Sequence, residues 1–152
     1  MFTHLFKFLG ANLKTPYNSS NIASLFLEVQ MSKKLTGKIG YCDNKTLRLR
    51  DKSGNYLKGG HYVYIREDNR NGTCNVNVVT SLEERSGKYS LRKLKQVRNG
   101  NIYVIPKKDA TFTRWSGVNC NAIKNIPVAN ILDIDKKKLR KRHRFFIGKF
   151  MK

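Results

Sequence analysis

The fold is decided by residues 56–84, which read YLKGGHYVYIREDNRNGTCNVNVVTSLEE. Two runs of alternating apolar and polar residues, 61–67 and 73–82, flank a turn that ends in Asn71-Gly72. Alternation with a period of two is typical of a half-buried strand, and Asn-Gly between two such runs indicates a hairpin. The residues that we expect on the core face of this hairpin are Val63, Ile65, Cys74, Val76 and Val78, with Thr80 at the end of the same face.

Further short strands are predicted on both sides of this hairpin. They lie at residues 38–41, 46–50, 101–106 and 121–124, with another element around 128–134. Residues 83–100 are a basic segment that fits a short helix and a loop equally well. Short strands separated by Gly and Asn turns predict a mainly β (β-rich α+β) fold, a small, strongly bent SH3-like barrel with a basic C-terminal helix or tail. An OB-like barrel would give almost the same pattern.

Positive charge dominates the composition. The chain has 31 Lys and Arg against 10 Asp and Glu, a formal net charge of +21 at pH 7. Self-repulsion of this size weakens a compact state unless an anion binds. Phosphate backbones are the commonest such partner, and the aromatic residues offer stacking surface. We therefore expect a nucleic acid as partner, RNA rather than DNA. An anionic membrane surface and an acidic protein are the alternatives.

The charge is most concentrated in residues 136–152, where nine residues are Lys or Arg and none is acidic. Four apolar side chains in this segment, those of Phe145, Phe146, Ile147 and Phe150, would let it dock on the barrel. A basic amphipathic helix lying on an anionic membrane is the rival interpretation. The residues predicted to bind nucleic acid are Arg66, Arg114, Trp115, Lys136, Lys137, Lys138, Arg140, Lys141, Arg142 and Arg144. For Trp115, a place in the core and a role as a base-stacking platform are equally good readings.

The cysteines and histidines indicate neither a metal site nor a disulfide framework. Cys42, Cys74 and Cys120 are far apart and form no CxxC pair, and the three histidines lack the spacing of metal ligands. We therefore expect no metal and no cofactor. Unpaired cysteines are typical of a reducing compartment, which predicts a cytoplasmic protein.

The first thirty residues differ from the rest of the chain. Their apolar run is short and interrupted by Lys7, so it predicts neither a signal peptide nor a membrane span. Glu28-Val29 can be encoded by a purine-rich ribosome-binding sequence just before the Met31 codon. Either translation starts at Met31 and residues 1–30 are a leader, or this Glu-Val pair is a coincidence. The predicted organisation is a leader or flexible extension at 1–30, an SH3-like barrel at 31–135 and a basic helix or tail at 136–152.

Four segments, in the order KGGHYVYI, VNVVTS, NIYVIP and SGVNCNAIKNIPVANILDIDKKKL, resemble the PemK/MazF-like toxins over roughly residues 57–139. The resemblance implies a small barrel that cleaves single-stranded RNA without metal, and an acidic antitoxin as protein partner. It also implies that the ribose 2′-OH attacks the adjacent phosphate while an arginine stabilises the charge. The Arg-Pro pair that usually opens the second strand is missing here.

Four residues are candidates for this chemistry. The resemblance implies Thr80 and Ser81 at a strand end and Arg70 as the arginine, with Arg66 as its alternative. His61 is the only histidine in the barrel region that would titrate near neutrality, so we predict that it is the base. Each candidate has a structural alternative: His61 as a surface strand residue, and Thr80 with Glu83 as a helix capping box. The competing functions are a non-catalytic RNA- or DNA-binding module, ribosome-associated or from a mobile element, and an inhibitor or adaptor of an acidic protein.

Overall fold

The structure is a computed structural model that describes residues 34–151. The predicted leader or extension at residues 1–30 lies outside these residues. Within the described range, no helix is both long enough and apolar enough to cross a lipid bilayer.

Six strands and two α-helices make up this part of the chain. The strands are β1 (Ile39–Asp43), β2 (Gly60–Asp68), β3 (Thr73–Ser81), β4 (Ile102–Ile105), β5 (Ser116–Pro127) and β6 (Ile131–Leu132). The helices are α1 (Leu91–Arg98) and α2 (Lys141–Phe150), with 3₁₀ turns at Lys107–Asp109 and Val128–Asn130. All strand pairs are antiparallel and form one open sheet in the order β4-β5-β3-β2-β1-β6. The prediction of a mainly β fold is confirmed.

The β2–β3 hairpin forms as predicted, although Val78, expected on the core face, is only partly buried. Val63 pairs with Val78 and Ile65 with Val76, and both residues of β2 are fully buried. Gly72 in the connecting turn has a φ of +81°, a left-handed conformation that glycine adopts without strain. The alternating pattern therefore identified these two strands correctly.

Apolar side chains cover both faces of the sheet. One face carries the helix-side core, which α2 covers and which consists of Ile39, Tyr64, Val79, Ile105, Val118, Leu139, Ile147 and Met151. The other face carries the loop-side core, which consists of Cys42, Leu47, Val63, Ile65, Cys74, Val76, Ile126 and Ile131. The twelve-residue β5 shifts register twice against β3, and such bulges bend a strand.

The prediction of a strand at residues 46–50 is wrong. Residues 44–48 form a turn in which the Leu47 amide donates to the Asp43 carbonyl and the Leu49 amide to the Asn44 carbonyl. The cause is Asn44, which is buried and donates from its side chain to the Lys58 carbonyl 3.0 Å away. This long-range bond holds the turn against the segment just before β2, whereas the local pattern alone resembles a strand.

Two other predictions change in extent. The strand expected at 121–124 is the middle of β5, which runs from Ser116 to Pro127. The basic segment at 83–100 is helical over Leu91–Arg98, which is α1, and non-helical before it, so each of the two alternatives holds for part of the segment. None of the eight residues of α1 is buried, because the helix lies on the surface beside β4.

Candidate nucleic-acid interface

Three predicted site residues, His61, Thr80 and Ser81, meet at one end of the β2–β3 hairpin. The pairing of Tyr62 with Val79 puts His61 beside Thr80 on the neighbouring strand. Both side chains lie on the loop-side face, because residues two apart on a strand share a face. From α1, the Lys93 ammonium reaches over and donates to the Ser81 carbonyl. We call His61, Thr80, Ser81 and Lys93 the end cluster.

His61 is held in one tautomer by Asn44. Its Nδ1 lies 2.6 Å from the Asn44 Oδ1, which can only accept a hydrogen bond, so Nδ1 carries the proton. The lone pair of the neutral ring is therefore on Nε2. Burial lowers the pKa of His61, and the nearby charge of Lys93 lowers this pKa further. A neutral imidazole with Nε2 unprotonated can accept a proton at pH 7.

Lys93 was missed by sequence reasoning. Burial lowers the pKa of its ammonium, with Arg92 acting in the same direction and Glu84 against it. The sequence signal was weak, because Lys93 is one of many cations in the basic segment at 83–100 and shows no spacing relative to His61. Only the placement of α1, from which Lys93 donates to the Ser81 carbonyl, brings the two residues together.

The structure overturns the capping-box alternative for Thr80. Thr80 lies within β3, and the next α-helix starts at Leu91 after Ser90. Ser81 instead closes a tight turn, since its hydroxyl donates to the Glu83 carbonyl at 2.8 Å and accepts from the Glu83 amide at 3.1 Å.

The two candidate arginines lie away from the end cluster. Arg70 is in the β2–β3 turn, with a φ of +59°, at the opposite end of the hairpin from Thr80. Seven residues of strand between Thr73 and Thr80 correspond to roughly 23 Å. The Arg66 guanidinium donates to the Met151 carbonyl. The structure therefore brings His61, Thr80 and Ser81 together and leaves both arginines outside this group.

Helix α2 has one buried and one exposed face. His143 and Ile147 point into the protein, whereas Phe145 and Phe146 are 58% and 50% exposed. The two phenyl rings contact edge to face at 5.6 Å between centroids. The Lys149 ammonium lies 4.6 Å from the centroid of the Phe145 ring. The exposed face therefore combines aromatic rings with positive charge.

A buried carboxylate, Asp109, lies beneath the start of α2. Asp109 is 2% exposed, and its carboxylate oxygens lie 2.6 Å from the Arg142 guanidinium, 3.3 Å from that of Arg140 and 3.2 Å from His143 Nε2. His143 Nδ1 lies 2.9 Å from the Tyr103 hydroxyl. The hydrogen bond from Arg142 lowers the pKa of Asp109, although burial opposes this shift. Sequence reasoning missed Asp109, since no motif surrounds it.

The remaining predicted binding residues are spread over the surface. Lys136 pairs with Asp133, Lys137 donates to the Thr111 carbonyl at 3.0 Å, and Lys138, Lys141 and Arg114 are exposed. Arg144 packs its aliphatic stem near Gly37, and Trp115 is partly buried with its ring 6.4 Å from that of Tyr89. Among the described residues, the only Lys and Arg side chains within 4 Å of a carboxylate are those of Lys38, Lys136, Arg140 and Arg142.

Residues 34–151 contain no group of three or more His, Cys, Asp or Glu side chains placed to hold a metal ion. Comparison of the sequence with known proteins adds no family to this geometry. No protein-family model matches the chain, and a search of the curated proteins finds no match either.

Proposed function

We propose that this protein binds single-stranded RNA. The observation that carries the proposal is the excess of cations over carboxylates on the surface. Only four Lys or Arg side chains of residues 34–151 contact a carboxylate, and the chain carries a net charge of +21. A polyanion neutralises such a surface, and it releases condensed counterions when it binds.

Exposed aromatic rings beside these cations favour a single strand over a duplex. Phe145 and Phe146 on α2 are about half exposed and lie beside Lys149. Unpaired bases can stack on such rings, whereas the bases of a duplex are already stacked on one another. Trp115 is less suited to stacking, because its side chain is partly buried.

Fluorescence anisotropy with a labelled oligoribonucleotide tests the proposal. We expect affinity to fall steeply with salt and to be higher for a single strand than for the duplex of the same sequence. Replacing Phe145 and Phe146 with Ala should weaken binding by about 1–3 kcal/mol per stacked base. The control is Leu132→Ala, which removes a 60% exposed apolar side chain from β6. Equal losses in both variants, or no binding by the wild type, would contradict the proposal.

The proposed architecture is an SH3-like barrel. It is supported by the two register shifts in β5 and by the loop-side core, in which Cys42 of β1 and Cys74 of β3 share one cluster. These cysteines pair with His61 and Asp68, seven residues apart on β2. In a flat sheet that offset would keep them far apart, whereas Cys42 is close enough to contribute to the raised pKa of Cys74, which favours a strongly curled sheet.

A second candidate function is cleavage of the bound RNA, favoured by the end cluster. In this reaction the ribose 2′-oxygen bonds to the adjacent phosphorus and the bond from phosphorus to the 5′-oxygen breaks. The products are a 2′,3′-cyclic phosphate and a 5′-hydroxyl. His61 Nε2 accepts the 2′-OH proton, the leaving 5′-oxygen takes a proton from the medium, and the Lys93 ammonium stabilises the charge on phosphorus.

The resemblance to PemK/MazF-like toxins supports the same reaction. The reaction, and the binding of the acidic antitoxin that the resemblance implies, stay predictions. Incubation of the protein with labelled single-stranded RNA in EDTA should give discrete cuts. His61→Gln should abolish them while leaving RNA affinity nearly unchanged, because a group that acts on the transition state alters rate more than binding. Arg70→Ala tests whether the arginine implied by the resemblance takes part in cleavage, since Arg70 lies far from the end cluster. Binding without any cleavage would reject this candidate alone.

A further inference from the structure

The contacts of Asp109 organise two exposed arginines. The side chains of Arg140 and Arg142 are 62% and 54% exposed, yet each contacts the same 2% exposed carboxylate. Arg140 is also held through its backbone, because its amide donates to the Asp109 carbonyl at 3.2 Å. Each guanidinium has five N–H donors, so contact with one carboxylate leaves donors free to face the solvent.

We propose that Arg140 and Arg142 together bind one phosphate of the RNA backbone, and that Asp109 is the positioning residue that holds them for it. The inference rests on the proposed function and names a subsite within it. One carboxylate against two guanidiniums leaves a net positive charge at this subsite. A guanidinium matches the geometry of phosphate oxygens with paired hydrogen bonds, which makes arginine suited to such a site.

Two neighbouring features favour an anion at this position. The first turn of α2 contains no acidic residue, and no side chain caps the helix start. Its first amide groups therefore add the partial positive charge of a helix N-terminus. Lys107 and Lys108, which precede Asp109 in the 3₁₀ turn, are exposed and lie on the same segment.

The Asp109 carboxylate contributes by fixing the side chains of Arg140 and Arg142 in advance. A free arginine loses rotamer freedom when it binds a phosphate, and that loss weakens binding. Contact with Asp109 restricts Arg140 and Arg142 before the RNA arrives. Removing the carboxylate therefore has two opposite effects, since it raises the net charge by one and frees both side chains.

The sign of the effect of Asp109→Asn tests the proposal. If long-range attraction alone governs binding, the variant binds a short labelled single-stranded oligoribonucleotide more tightly than the wild type. If Asp109 positions the arginines, the variant binds about tenfold more weakly, because two long side chains must then be ordered on binding. Tighter or unchanged binding would overturn the proposal.

His143→Gln separates positioning from a simple loosening of α2. This change removes the contacts of His143 with Tyr103 and Asp109 but leaves both arginines beside the carboxylate. Amide hydrogen exchange in α2 measures the loosening in each variant. If hydrogen exchange shows the same loosening of α2 in both variants, Asp109→Asn should bind RNA more weakly than His143→Gln. Equal RNA affinities of the two variants would overturn the positioning role of Asp109.

The salt dependence tests whether one phosphate is shared. The double variant Arg140→Gln/Arg142→Gln should reduce the slope of log K against log salt by about 0.7, the value for one contact with a single strand. Two separate contacts would reduce it by about 1.4 and overturn the shared subsite. The matched control is Lys95→Gln/Arg98→Gln on α1, which removes the same charge elsewhere on the protein. An equal change of slope in this control would also overturn the shared subsite.

Two results separate the subsite from the proposed function. A wild type that binds RNA, with an unchanged slope in the double arginine variant, rejects the subsite and leaves RNA binding in place. A wild type that binds vesicles containing phosphatidylserine but no RNA rejects both, because the phosphate would then belong to a lipid headgroup.

Discussion

Replacing Ile147 with Ala should release α2 from the sheet. Ile147 is fully buried in the helix-side core, and His143 is the only other buried residue of this helix. Truncating a buried Ile to Ala costs about 2–5 kcal/mol. Because α2 has so few anchors, we expect most of this loss to appear as local opening of the helix rather than as unfolding of the sheet.

Amide hydrogen exchange measures the two processes separately. A loss of about 2–5 kcal/mol corresponds to a roughly 30-fold or greater loss of protection in α2. The amides of β3, in the middle of the sheet, should change much less. The control is Phe146→Ala on the exposed face of the same helix, which should change protection by under about 0.5 kcal/mol. Equal loss of protection in α2 and β3 would show that the helix and the sheet unfold as one unit, and would refute this reasoning.

Three further predictions concern single residues. Gly60→Ala should lower the melting temperature by several degrees in a thermal scan, because a Cβ there would lie 2.4 Å from the Cys42 carbonyl; Gly54→Ala, in open space but at positive φ, measures backbone strain without a clash, whereas Gly60 has the clash without a positive φ. RNA cleavage by His61 should be half-maximal below pH 6.5, since burial lowers the pKa of His61 from that ordinary value; a rise that continues to pH 8 would exclude His61 as the base. Asp109 has a lowered pKa in the fold, so its stabilising effect is complete above the unfolded value of about 3.9 and is lost as the pH falls through the lower folded value. Acid titration should therefore destabilise the wild type more than Asp109→Asn.

The hairpin could be predicted from the sequence because its signals are local. The alternation of apolar residues around Val63 and Val76, and the Asn-Gly turn between them, depend only on neighbouring residues. The turn at 44–48 could not be predicted, since it depends on Asn44, which donates to the Lys58 carbonyl and accepts from His61 Nδ1. Secondary structure that is held by distant partners leaves little trace in local pattern.

The candidate site could be predicted only in part. Thr80 and Ser81 were selected through the resemblance and His61 for its titration near neutrality, and the pairing of β2 with β3 then places them at the same end of the hairpin. Lys93 and Asp109 could not be predicted, because each reaches its partners only through the packing of a helix. Arg70 was selected for its residue type, and the hairpin geometry places it at the other end from Thr80.

The pairing of β1 with β6 has a consequence for folding. Cys42 pairs with Ile131, so this contact closes a loop of about 90 residues, at an entropic cost of about 4 kcal/mol. The β2–β3 hairpin closes only a four-residue loop, and contacts of that kind form much faster. The Cys42 thiol is fully buried in the completed sheet, where burial raises its pKa to about 11. The loss of its reactivity toward alkylating reagents during refolding therefore reports when the sheet closes. The pairing of β1 with β6 should be the slowest strand pairing of this topology to form.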